Sequence, residues 1–145
     1  MSNYQKINDK LCKALWDKFP KQSKKIFAHG SGDIGGDFLG FVDTYYYLAQ
    51  MIPKDWRVID FGCSYAPQAY YFQSHREYIG VNISSCPKWK FDNGTYFTKS
   101  IKDWIENAKK ESFDFNHKTF AICNYVPSGE VYLVRQTFFN LFIFN

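Results

Sequence analysis

The chain has 145 residues, one domain's worth, of which 46% are apolar and 21% aromatic, with 15 Phe and 11 Tyr. That composition supports a packed core and excludes intrinsic disorder, and no apolar run is long enough to cross a bilayer, so a membrane partner is not expected. The net charge of +4 is compatible with nucleic acid, although a solvated surface is the reading it favours.

Tyr4, Ile7, Leu11 and Leu15 recur at helical spacing and predict a helix over residues 4–18, ended by Pro20. A lysine-rich stretch follows, then the glycine-rich loop HGSGDIGGD at residues 29–37. Residues 38–51 form a second predicted helix, aromatic along much of its length and stopped at Pro53. Its Tyr45-Tyr46-Tyr47 run is expected to pack on a sheet with one ring exposed.

From Arg57 the pattern changes to strands alternating with helices. VIDF reads as a buried strand (57–61), followed by a turn and a short helix (67–74). YIGVNI (78–83) is a second strand and residues 95–98 a third; a helix over 101–110 follows. TFAICN (119–124) and NLFIF (140–144) are strands separated by a helix over 130–138. Such alternation predicts right-handed crossovers and a mainly parallel sheet with helices on both faces, in a single domain.

Two glycine loops compete for a ligand. Gly30, Gly32 and Gly35 match GxGxxG, but no convincing central strand precedes them and no acid closes a following strand. That loop reads either as a plain connection or as a lid, which would bring His29, Asp33 or Asp37 over a site built elsewhere. Gly62 has fewer glycine neighbours and a better setting: it ends a strand where the chain turns into a helix, with Asn82 twenty residues on at the end of the next strand. In open α/β sheets ligands sit outside the carboxyl ends of the strands, where free N–H groups gather.

VIDFGC, a helix and then YIGVNI resemble motif I and the end of strand 2 in class I S-adenosylmethionine-dependent methyltransferases, over residues 38–145. The resemblance implies a Rossmann-like sheet of order 3-2-1-4-5 and S-adenosylmethionine as cofactor. Asp60 then stands at the motif I acid and Gly62 at the first glycine, with Ser64 and Ala66 at the other two glycine positions and Tyr65 between them. Asn82 stands at the ribose-binding acid, Ile83 beside the adenine, and Ser100 near the adenine ring. Asn124-Tyr125-Val126-Pro127 is similar to the Asn/Asp-Pro-Pro-aromatic tetrapeptide of amino-methyltransferases, which implies that Asn124 and Tyr125 place an amine. Tyr125 and Pro127 depart from that tetrapeptide. Asn82 also gives up a charge-assisted clamp on the ribose hydroxyls, worth about 1–3 kcal/mol. Strands 6 and 7 of the family, its C-terminal hairpin, are expected to be absent, leaving a sheet edge for the N-terminal helices or a partner protein to cover.

The alternative reading is a non-catalytic module that binds nucleotide or protein on the same scaffold. Cys12, Cys63, Cys86 and Cys123 form no CxxC pair, so neither a zinc site nor a disulfide scaffold is expected. With no secretory leader visible, the thiols read as reduced in a cytoplasmic protein. Cys63 reads as a small buried residue rather than a nucleophile, and His75 and His117 are expected to be solvated.

Overall fold

The computed structural model describes residues 10, 11, 13, 14, 17, 18, 42–83, 90–124 and 126–144, with backbone alone for 42, 43 and 144. The loop at residues 29–37, with His29, Asp33 and Asp37, lies outside the described residues, as does Tyr125. Lys10, Leu11, Lys13, Ala14, Asp17 and Lys18 are helical, as the spacing predicts. The remaining elements, in chain order, are α1 (Val42–Met51), β1 (Arg57–Phe61), a 3-10 helix (Pro67–Phe72), β2 (Glu77–Asn82) and β3 (Gly94–Thr98). Then come α2 (Ile101–Lys110), β4 (Thr119–Asn124), α3 (Ser128–Thr137) and β5 (Leu141–Phe144).

The five strands form one sheet of order β3-β2-β1-β4-β5, and every pairing is parallel. This is the expected Rossmann-like α/β architecture. The central strands are continuous apolar runs because both their faces are covered. Side chains alternate between two cores. Val58, Tyr78 and Ile122 point to one face, where Leu11, Tyr45, Leu48, Ala49, Ile52, Ala69 and Phe72 meet them. Ile59, Phe61, Ile79, Val81, Ala121 and Cys123 point to the other, against Trp104, Ile105, Ala108, Val134 and Phe138. In α2 the buried positions 101, 104, 105 and 108 make one stripe, the helical period expressed as burial.

The tyrosine run behaves as its sequence suggests: Tyr45 is fully buried, Tyr46 half-buried, and Tyr47 is 52% exposed. His117 is exposed, and its backbone N–H donates to Asp114 Oδ1. His75 corrects the expectation of a solvated ring. It is 3% exposed, its Nε2 lies 3.0 Å from the Ile52 carbonyl, and its ring sits 5.3 Å from that of Phe72. The turn before β2 tucks it beneath the end of α1, and burial lowers its pKa. Among the described residues no helix is long and apolar enough to cross a membrane.

Candidate functional site

β1 ends at Phe61 and the chain turns sharply through residues 62–66. Gly62 has φ +79°, Ser64 φ 54° and Ala66 φ 60°. All three alternate positions are left-handed, a region that non-glycine residues enter at a cost of about 1–2 kcal/mol each. Hydrogen bonds hold the turn: the Gly62 N–H donates to the Val81 carbonyl at 2.8 Å and the Ala66 N–H to the Cys63 carbonyl at 2.9 Å. Gly62 is glycine for a second reason, because a Cβ there would run into the carbonyl oxygen of Asn124 on β4.

A cavity of about 320 Å³ opens over this turn at the carboxyl ends of the strands. Gly62 and Ser64 form one wall, Val81, Asn82 and Ile83 another; Lys99 and Ile101 follow β3, and Asn124, Val126, Pro127 and Glu130 close the far side. Five of the residues singled out in the sequence therefore meet here: Gly62, Ser64, Asn82, Ile83 and Asn124. Among the described residues, Asn124 Oδ1 is buried with no hydrogen-bond partner, an acceptor whose desolvation is uncompensated there.

Three others lie apart from the cavity lining. Tyr65 is half-buried and packs against the α1-side core. Ser100 spends its hydroxyl as the N-cap of α2, accepting from the Asp103 N–H at 3.1 Å. Asp60 is wholly buried behind the turn, on the α1 face of β1. Its Oδ2 accepts from the Tyr78 hydroxyl and from Gln68 Nε2 at 2.7 Å, while Oδ1 has no partner. Burial pushes its pKa up to about 6, against the pull of the hydrogen bonds from Tyr78 and Gln68. The Tyr45 hydroxyl lies near both Asp60 and Asn124, and burial raises its pKa well above the ordinary phenol value.

Cys63 is 1% exposed, and burial raises its pKa well above the ordinary thiol value, as for a small core residue rather than a thiolate. Lys99 and Glu130 are the charged groups that sequence reasoning passed over. Lys99 is the first residue past β3, its N–H donating to the Asn82 carbonyl at 3.1 Å and its Nζ 5.3 Å from the Phe97 ring centre. The signal was available, because Gly62 and Ile83 are likewise the first residues past β1 and β2. Glu130 stands in the first turn of α3.

The cavity is thus electrically polarised. Acceptors collect on the β4 side, in Asn124 and Glu130, and a cation stands on the β3 side in Lys99. Compared with known proteins, the chain matches no family model, no curated protein and no solved structure.

Proposed function

We propose that the chain is an S-adenosylmethionine-dependent methyltransferase acting on an amino group. The observation that carries this reading is the turn at residues 62–66, left-handed at all three positions where the resembled family places glycine, opening into a cavity shared with Asn82 and Asn124. The donor set fits the cofactor. The cationic methionine end suits the acceptor side formed by Asn124 and Glu130, and the adenosine suits Asn82, Ile83 and Ile101. When bound, the cofactor supplies a methyl group already activated on a sulfonium.

What remains for the protein is placement and dryness. Gly62 lets the ligand approach the main chain, and Asn82 hydrogen-bonds ribose through a neutral amide. Asn124 offers its unpartnered Oδ1 to an amine N–H and orients the lone pair towards the methyl carbon. Glu130 is the carboxylate of the cavity lining that can take the proton the amine releases. The buried thiols of Cys63 and Cys123, both free, support a reducing compartment, and we place the protein in the cytoplasm.

One observation favours the second reading, a nucleotide-binding module without transfer: Asn82 and Lys99 replace a carboxylate by an amide beside a cation. Calorimetry with S-adenosylhomocysteine and with adenosine nucleotides separates the two. Binding of the homocysteine compound that falls several-fold in Asn82→Ala supports the methyltransferase. Binding of nucleotides alone in the same cavity supports the module, and no binding of either overturns both.

A further inference from the structure

A second cavity, of about 490 Å³, lies on the α1 face at the other end of the sheet. Lys54 and Ser74, on its rim, precede β1 and β2, and the Lys54 carbonyl accepts from the Arg76 N–H at 2.8 Å, tying the two loops together. We propose that this cavity binds a nucleotide unit, with the base against Tyr46, Tyr70 and Tyr71 and the phosphate on Lys10 and Lys54.

The argument starts from what the lining contains. Among the described residues, three half-buried tyrosines line it together with two lysines and no carboxylate. Tyr46 meets Tyr71 edge to face, with centroids 5.7 Å apart and planes at 83°, and Tyr70 meets Tyr71 at 5.5 Å and 66°. All three rings line the cavity, and aromatic rings are surfaces on which a planar base stacks. Gln50, Gln73 and Ser74 add groups that both donate and accept, matching the mixed edge of a base.

Charge narrows the class. A neutral aromatic would leave both ammonium groups unused, and a bare polyanion would leave the rings unused. Lys54 Nζ donates to the Ala49 carbonyl at 2.9 Å, one of the three N–H bonds an ammonium can give. The volume lies within the range of small-ligand sites, about 300–1,000 Å³. A nucleotide is the ligand class that uses the rings, the amides and the cations together, whether free or as part of a single strand. Because this cavity and the turn at Gly62 occupy opposite ends of the sheet, the proposal stands or falls apart from the methyltransferase reading.

The test is a two-dimensional NMR titration of the full chain with adenosine monophosphate, a single-stranded oligonucleotide and tripolyphosphate, alongside S-adenosylhomocysteine as the marker of the other cavity. The expected result is movement of the Tyr46, Tyr70, Tyr71 and Gln50 resonances with the nucleotide probes. Two variants at exposed positions check the chemistry without disturbing the core. Lys10→Ala should weaken binding several-fold, and Gln50→Glu, which adds a carboxylate to the lining, at least about tenfold. Saturation by the mononucleotide identifies a free nucleotide as the ligand; saturation only by the oligonucleotide identifies a strand. No binding at millimolar probe, shifts confined to Gly62, Asn82 and Asn124, or equal binding of tripolyphosphate would each overturn the proposal.

Discussion

Asp60 makes stability depend on pH in a direction opposite to that of most carboxylates. It is wholly buried, and its pKa is raised from 3.8 to about 6. The unfolded chain therefore loses this proton near 3.8 while the folded chain keeps it to about 6. Between those values the folded state binds more protons, so stability falls as pH rises. At about 1.36 kcal/mol per pH unit the gap is worth about 3 kcal/mol, a sizeable share of a typical stability of about 5–15 kcal/mol. Other groups push the other way: His75 has a lowered pKa, as do the exposed carboxylates Asp55 and Asp114. The informative quantity is therefore the difference between wild type and Asp60→Asn. The amide keeps an acceptor for the Tyr78 hydroxyl, and Gln68 Oε1, buried and unpartnered, can receive its N–H. Urea unfolding of both proteins from about pH 3 to pH 7 measures this. The wild type should lose about 3 kcal/mol relative to the variant across that span. A difference that stays flat would refute the account of a carboxylate ionising against its burial.

Three further outcomes are expected. Gly62→Ala should lose about 3 kcal/mol in urea unfolding, since it adds both left-handed strain and a Cβ against the Asn124 carbonyl; an unchanged midpoint would mean that β1 and β4 sit further apart. Ser64→Gly should gain about 0.5–1 kcal/mol by relieving strain, whereas Ala66→Gly should gain nothing because its buried methyl is lost; equal effects in thermal unfolding would contradict this. Asn82→Asp should tighten S-adenosylhomocysteine binding about tenfold by calorimetry, as a charged acceptor is introduced; weaker binding would count against a ribose at position 82.

The sheet was legible because its strands are dense apolar runs at regular intervals, and parallel sheets buried on both faces need such runs. Boundaries moved by a residue or two where caps decide. The helix expected over 130–138 begins at Ser128, because Pro127 at its N-cap offers its carbonyl to the Glu130 and Val131 N–H groups. The segment after the turn forms a 3-10 helix of six residues rather than an α-helix. His75 was misjudged because its polar neighbours, Ser74 and Arg76, are exposed while it alone turns under α1. Local composition carries no record of such a contact, made with Ile52 across 23 positions. At the cavity the residue after β3 is Lys99 rather than Ser100, because Ser100 is taken up by the helix cap and Lys99 lines the wall.

The turn at residues 62–66 keeps a left-handed path at three alternate positions although only one of them is glycine. Ser64 and Ala66 together carry about 2–4 kcal/mol of left-handed strain. Distant contacts hold it: the Val81 carbonyl anchors the Gly62 N–H at 2.8 Å, and Gln68 Nε2 reaches back to the Cys63 carbonyl at 3.0 Å. Ala66 is fully buried and Pro67 opens the next helix with its φ already set. Glycine is needed where a Cβ would collide, at Gly62, and elsewhere only makes the same path cheaper. A ligand recognised through the main chain thus meets the same surface whether glycine or serine stands at position 64. A ligand recognised through the charge at position 82 does not, so substitution at Asn82, more than at Ser64, should decide how tightly the cavity is filled.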